Sequence, residues 1–120
     1  MNDAMSRVSI YHNPRCSKSR QTLLLLEERG ITPEIIKYLD TPPSTQALVD
    51  VVKALGIKPW DLLRRNEVVF KDLQLTADAS DEDVIAAMLE HPVLIERPIV
   101  IKGRRAVIGR PPEAVLSLFD

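Results

Sequence analysis

The sequence predicts an α/β fold in which a mixed sheet is interrupted by a helical insertion. Strand-like alternation occurs near both ends of the chain, a strand–helix–strand run opens it, and its middle carries apolar residues at helical spacing.

Taken in order, Val8 and Ile10 alternate with polar neighbours over Arg7 to Tyr11, the pattern of a strand, and Asn13-Pro14 stops it with turn chemistry. A helix begins at Ser17 or Ser19 and runs to Arg29, carrying Leu23 to Leu26 inward, with Gly30 as its stop. Glu34 to Leu39 reads as a second strand, broken by Thr41-Pro42-Pro43. From about Ser44 a helix places Leu48, Val49, Val51, Val52 and Leu55 at helical spacing and ends before Gly56. Pro59 suits the first turn of a short helix holding Trp60, Leu62 and Leu63. Ser80, with an acid three residues on at Asp83, announces a helix whose apolar side includes Val84, Ala87 and Met88; His91-Pro92 closes it. Ile99 to Ile101 and Ala106 to Ile108 read as strands joined at Lys102-Gly103. Pro111-Pro112 then opens a final helix that packs Val115, Leu116 and Phe119 on the sheet. The order β-α-β, helical middle, β-β-α implies a parallel pair with a right-handed crossover, extended by an antiparallel hairpin. That is a thioredoxin-like mixed sheet, expected as a single domain over residues 1–120 with a helical insertion at about 44–91.

With 120 residues, 45% hydrophobic and 28% charged, the chain has the length and balance of one globular domain. A net charge of -1 gives no general attraction to nucleic acid or to an anionic membrane. Any anion site must therefore come from a local cluster of cations. The longest strongly apolar run, Leu23 to Leu26, is far too short to span a membrane. Met1 to Ser6 lacks the cationic and apolar regions of a secretion signal, so a cytoplasmic location is expected. The single cysteine cannot close an internal disulfide and is either a packing residue or a reactive thiol.

Cys16 falls between the first strand and the first helix, where backbone N–H groups favour an anion and a thiolate over a thiol. Arg7, Arg15, Lys18 and Arg20 add cations, and no acid occurs between Asp3 and Glu27. A buried packing cysteine would not be ringed with charge, so Cys16 is expected to be a nucleophile with a depressed pKa. Ser19 and Arg20 are candidates to support the thiolate; His12 either supports it too or merely ends the strand. A Cys-x-x-Cys dithiol would need cysteine where Ser19 stands, and a Cys-x5-Arg loop would need arginine where Thr22 stands. What remains is a monothiol arrangement, which requires an external thiol to complete a redox cycle. No metal and no tightly bound organic cofactor is expected, because the sequence has neither a ligand-spaced His/Cys/Asp cluster nor a Gly-rich nucleotide loop.

Several segments, in this order, resemble the glutaredoxin-coupled arsenate reductases, the ArsC family. They are Tyr11-His12-Asn13-Pro14 with Cys16 and Ser19-Arg20, Tyr38-Leu39-Asp40-Thr41-Pro42-Pro43, Leu62-Leu63-Arg64-Arg65-Asn66, His91-Pro92 with Arg97-Pro98-Ile99-Val100, and Arg110-Pro111. The resemblance implies arsenate as substrate, glutathione as co-substrate and glutaredoxin as partner, with Cys16 as nucleophile and Arg64, Arg97 and Arg110 binding the oxyanion. Guanidinium groups suit that role because they are planar, multi-donor and always charged. Each of the three adjoins a structural stop, so their segments are expected to converge on the Cys16 loop. Thioredoxin-like proteins commonly hold a cis proline facing the thiol, which makes Arg97-Pro98 the expected cis bond. Two departures stand out: Ser17-Lys18 where many members have Gly-Thr, and Gly109 where some carry a second cysteine. Arg65 is left unassigned beside Arg64. Two other readings remain: a glutathione-linked monothiol oxidoreductase of this fold with another or no oxyanion substrate, and an Spx-like partner of RNA polymerase. The missing Cys-x-x-Cys and the presence of all three arginines count against the last.

Overall fold

The structure, a computed structural model, describes residues 7–119; Met1 to Ser6, read above as lacking a secretion signal, lies outside them. The chain divides into two compact units, one formed up to Thr41 and again from Arg97 onward, the other by Pro42–Glu96.

The first unit contains β1 (Val8–Tyr11), α1 (Ser17–Glu28), β2 (Glu34–Ile36), β3 (Ile99–Lys102), β4 (Arg105–Ile108) and a 3₁₀ helix, Pro112–Phe119. Its sheet has the order β2-β1-β3-β4. Strands β1 and β2 are parallel with Ile10 opposite Ile35, β3 runs antiparallel to β1 with Val100 opposite Ile10, and β4 closes a hairpin with Val107 opposite Val100. This is the expected thioredoxin-like mixed sheet. Gly103, at φ 62°, takes the first position of the β3–β4 turn, a conformation that most side chains avoid. Val8, Ile10 and Val100 from the sheet pack with Leu26 of α1 and with Val115 and Leu118 to make the core.

Three expectations about this unit need correction. The four leucines of α1 do not all face inward: Leu26 is buried, whereas Leu24 is 56% exposed. Successive helical residues are rotated by about 100°, so four in a row cannot share one face. Strand β2 stops at Ile36 rather than Leu39, because the amides of Asp40 and Thr41 both turn back to the Lys37 carbonyl. The last helix is 3₁₀: Val115 is buried and Phe119 packs partly buried against the core as expected, but Pro112 and Leu118 are buried on its inner face and Leu116 is not. Three residues per turn line up every third side chain, which gives the 112–115–118 face.

The second unit holds α2 (Thr45–Leu55), α3 (Pro59–Leu62), α4 (Val68–Leu73), α5 (Asp81–Glu90) and a 3₁₀ turn, Pro92–Leu94. Ser44 and Ser80 cap α2 and α5, each hydroxyl accepting the amide three residues on at 3.1 Å. Gly56 ends α2 in the left-handed region. Leu48, Val51, Leu62, Val84, Met88 and Leu94 are buried here. Leu63 and Ile95 form an antiparallel bridge, flanked by Arg64 N–H to the Leu94 carbonyl and Glu96 N–H to the Leu62 carbonyl. Helix α4 was not expected from the sequence. It buries none of its residues, Val68 is 78% exposed, and Gln74 rather than glycine takes its left-handed terminal position, so both periodicity and the usual stop signal are missing. Among the described residues, no helix is long and apolar enough to cross a membrane.

Candidate active site

The loop from β1 to α1 is organised by Asn13. Its Oδ1 accepts the Arg15 N–H at 3.0 Å, its carbonyl accepts the Cys16 N–H at 3.0 Å, and its own N–H donates to Ser19 Oγ at 3.0 Å. His12 donates its backbone N–H to the Ile36 carbonyl, joining the loop to β2, and its Nδ1 lies 2.6 Å from Ser19 Oγ. His12, Asn13 and Ser19 are buried polar residues, and these bonds are what make their burial tolerable. Arg20, expected as a cation beside the thiol, donates Nη1 to the Pro14 carbonyl at 2.9 Å and so braces the loop.

Cys16 occupies the N-cap of α1 and is partly exposed. No side-chain capping bond closes the first turn, and no acid lies in it. Burial pushes the Cys16 thiol up, but the N–H groups of Ser19 and Lys18, together with the Arg97 guanidinium, outweigh that and hold it below the ordinary cysteine value. Arg110 donates Nη2 to Cys16 Sγ at 3.5 Å and Nε to the Arg97 carbonyl at 2.8 Å. Burial lowers the His12 pKa, and Lys37 and Arg20 lower it further, so the ring is neutral at physiological pH.

The two arginines reach the sulfur through the β3–β4 hairpin. Ile99 and Ile108 are paired, so Arg97-Pro98 and Gly109-Arg110 leave the sheet side by side, stitched by Gly109 N–H to the Pro98 carbonyl at 2.9 Å. Arg97-Pro98 is cis, as expected, and Arg110-Pro111 is cis as well. Gly109 has no room for a side chain: a Cβ there would lie 2.6 Å from Thr22 Oγ1 and 2.8 Å from Pro98 Cγ.

The first unit thus brings together Cys16, His12, Ser19, Arg97 and Arg110. Arg64 belongs to the second unit, where Nε pairs with Glu67 at 3.0 Å and Nη1 with Glu96 at 2.6 Å. Burial lowers its pKa, but the two carboxylates more than reverse this and leave the guanidinium firmly charged. Arg65 stacks over the Trp60 ring at 5.0 Å. Sequence reasoning missed the organising role of Asn13, although the Asn-Pro pair signalled a turn. It also missed the steric role of Gly109, for which a glycine at a strand end was the available sign.

The chain matches the ArsC family model over residues 11–118. It is 49% identical over 114 residues to an uncharacterised Escherichia coli K12 protein, covering 93% of this chain and 96% of that one. It is 45% identical over 117 residues to an arsenate reductase of Neisseria meningitidis serogroup A, covering 96% of this chain and 100% of the other. Among solved structures it is similar to an arsenate reductase from Vibrio cholerae, with 50% identity and a TM-score of 0.91, covering 94% and 98% of the two chains.

Proposed function

This chain belongs to the ArsC family, and on that basis we propose that it reduces arsenate to arsenite, with Cys16 as nucleophile and glutathione and glutaredoxin as thiol donors. The observation that carries the reading is a cysteine with a lowered pKa at a helix start, with the Arg110 guanidinium 3.5 Å from its sulfur. An oxyanion beside that sulfur has Arg97 and Arg110 to donate to its oxygens and offset the charge that develops there.

In this scheme the Cys16 thiolate forms an S–As bond and one arsenate oxygen leaves as water. Glutathione forms a second S–As bond with loss of another water. A glutaredoxin thiol then takes the glutathionyl sulfur as a mixed disulfide, leaving the electron pair on arsenic, which falls from As(V) to As(III). Water cleaves the remaining S–As bond, releasing arsenite and the Cys16 thiol. The net change is arsenate plus two external thiols giving arsenite, one disulfide and one water. Such a cycle needs a reduced thiol pool, which points to the cytoplasm.

The test is arsenite release with glutathione and glutaredoxin omitted in turn. Both omissions, and Cys16→Ser, are expected to abolish turnover. Arg97→Ala and Arg110→Ala should each lose about 2–4 kcal/mol of transition-state stabilisation, or roughly 30- to 1000-fold in rate, while Cys16 still forms a glutathione adduct. Arg97→Lys should recover part, since it keeps the charge and loses the planar fork. The resemblance adds an anion-binding role for Arg64; Arg64→Ala that keeps its stability but loses arsenite release supports it. A wild-type protein without arsenate-dependent turnover in the presence of both partners sinks the proposal and leaves the monothiol oxidoreductase.

A further inference from the structure

We propose that Asn13 is a positioning residue for the thiolate, aiming the first-turn N–H groups of α1 at the Cys16 sulfur. The proposal rests on the reading of Cys16 as the nucleophile. An ordinary helix start is held by a cap whose side-chain oxygen accepts an amide two or three residues on. In α1 the cap is Cys16 and no such bond is closed. The sulfur is left to face the Ser19 and Lys18 amides, and the three bonds of Asn13, of which only the Oδ1 bond is made by its side chain, span the points that set the first turn against it. Its Oδ1 closes a turn at Arg15, its carbonyl closes the next at Cys16, and its N–H grips Ser19, whose own N–H faces the sulfur. The first two hold the chain as it enters the cysteine. The third holds the helix residue that supports the sulfur from the other side.

Asn13 is only 7% exposed, so its polar groups cannot turn to water instead. Deleting the side-chain acceptor removes the tether at Arg15 and leaves the approach to Cys16 held only by the backbone bonds of residue 13, a looser hold on the first turn. The sulfur then drifts from the Lys18 and Ser19 amides. The charged groups that face it, Arg97 ahead of β3 and Arg110 after β4, lie on segments to which Asn13 makes no hydrogen bond, so the substitution removes neither charge.

The experiment follows the rate of Cys16 alkylation by iodoacetamide against pH, with thermal unfolding of each variant as control. Asn13→Ala is expected to move the inflection upward and to cut the rate at neutral pH by about three- to tenfold. Asn13→Ser, whose hydroxyl can close the same kind of turn, should restore part of the loss. Asn13→Gly supplies the same deletion if alanine does not fold. A folded deletion variant that melts earlier yet keeps the wild-type inflection makes Asn13 merely structural and overturns the proposal. Serine no better than the deletion also overturns it, by placing the effect in packing rather than in the acceptor. No arsenate enters the assay, so this outcome and the fate of the proposed reductase activity are separable.

Discussion

At the level of single residues, the balance at Cys16 is between burial, which disfavours the thiolate, and the Ser19 and Lys18 amides with Arg97, which favour it and win. The alkylation inflection of the wild-type protein should therefore lie below the value of about 8.5 for a free thiol. The same shift has a sign for stability. Between the folded and unfolded pKa values the unfolded chain binds more protons, so stability rises with pH there. The contribution is fully present above the unfolded value and is lost as pH falls through the folded one. Urea midpoints of wild type and Cys16→Ser, compared from about pH 6 to about pH 9, should diverge in favour of wild type as pH rises. A constant gap would reject a lowered pKa.

Elements meet at the site through small residues and short bonds. Strand β4 delivers Arg110 only because Gly109 lets its end approach α1 and Pro98, a contact that any side chain would obstruct. Thr22, the nearer obstacle, is itself held by donating Oγ1 to the Lys18 carbonyl at 2.8 Å. Gly109→Ala should cost about 1–3 kcal/mol, the usual penalty for overfilling a packed contact. Adding Thr22→Ala should return part of it, since the closest atom is then gone. Denaturant unfolding decides the matter, and a Gly109→Ala variant as stable as wild type would show that β4 can shift freely.

For the molecule as a whole, the decisive count is one cysteine. The chain cannot resolve an oxidised Cys16 by itself, so an external thiol has to do it. After treatment with glutathione disulfide, intact mass should show one glutathione per chain, and glutaredoxin should remove it. Robust arsenate reduction with a thioredoxin system alone would contradict the monothiol cycle. A net charge of -1 leaves the whole chain without long-range attraction for anions, so under the proposed function an oxyanion would be drawn in by the cations gathered around α1, Arg97 and Arg110 alone.

Local chemistry was enough to read the strand–helix–strand opening, the Ser44 and Ser80 caps, the glycine stops and the placing of Cys16 at a helix start, since each depends on neighbours within a few residues. It could not say which leucine of α1 turns inward, because that depends on where the sheet lies. It overlooked α4, which offers no buried face to give it a period. It placed Val115 and Phe119 of the last helix against the core but expected Leu116 there and not Pro112 or Leu118, since a three-residue repeat replaces the α-helical one. The meeting of Arg110 with Cys16 spans 94 residues and runs through the register of the β3–β4 hairpin, and the carboxylate partners of Arg64 include one 32 residues away. Spacing along a chain reports periodicity and caps; contacts of that range come into being only when sheets pair and cores close.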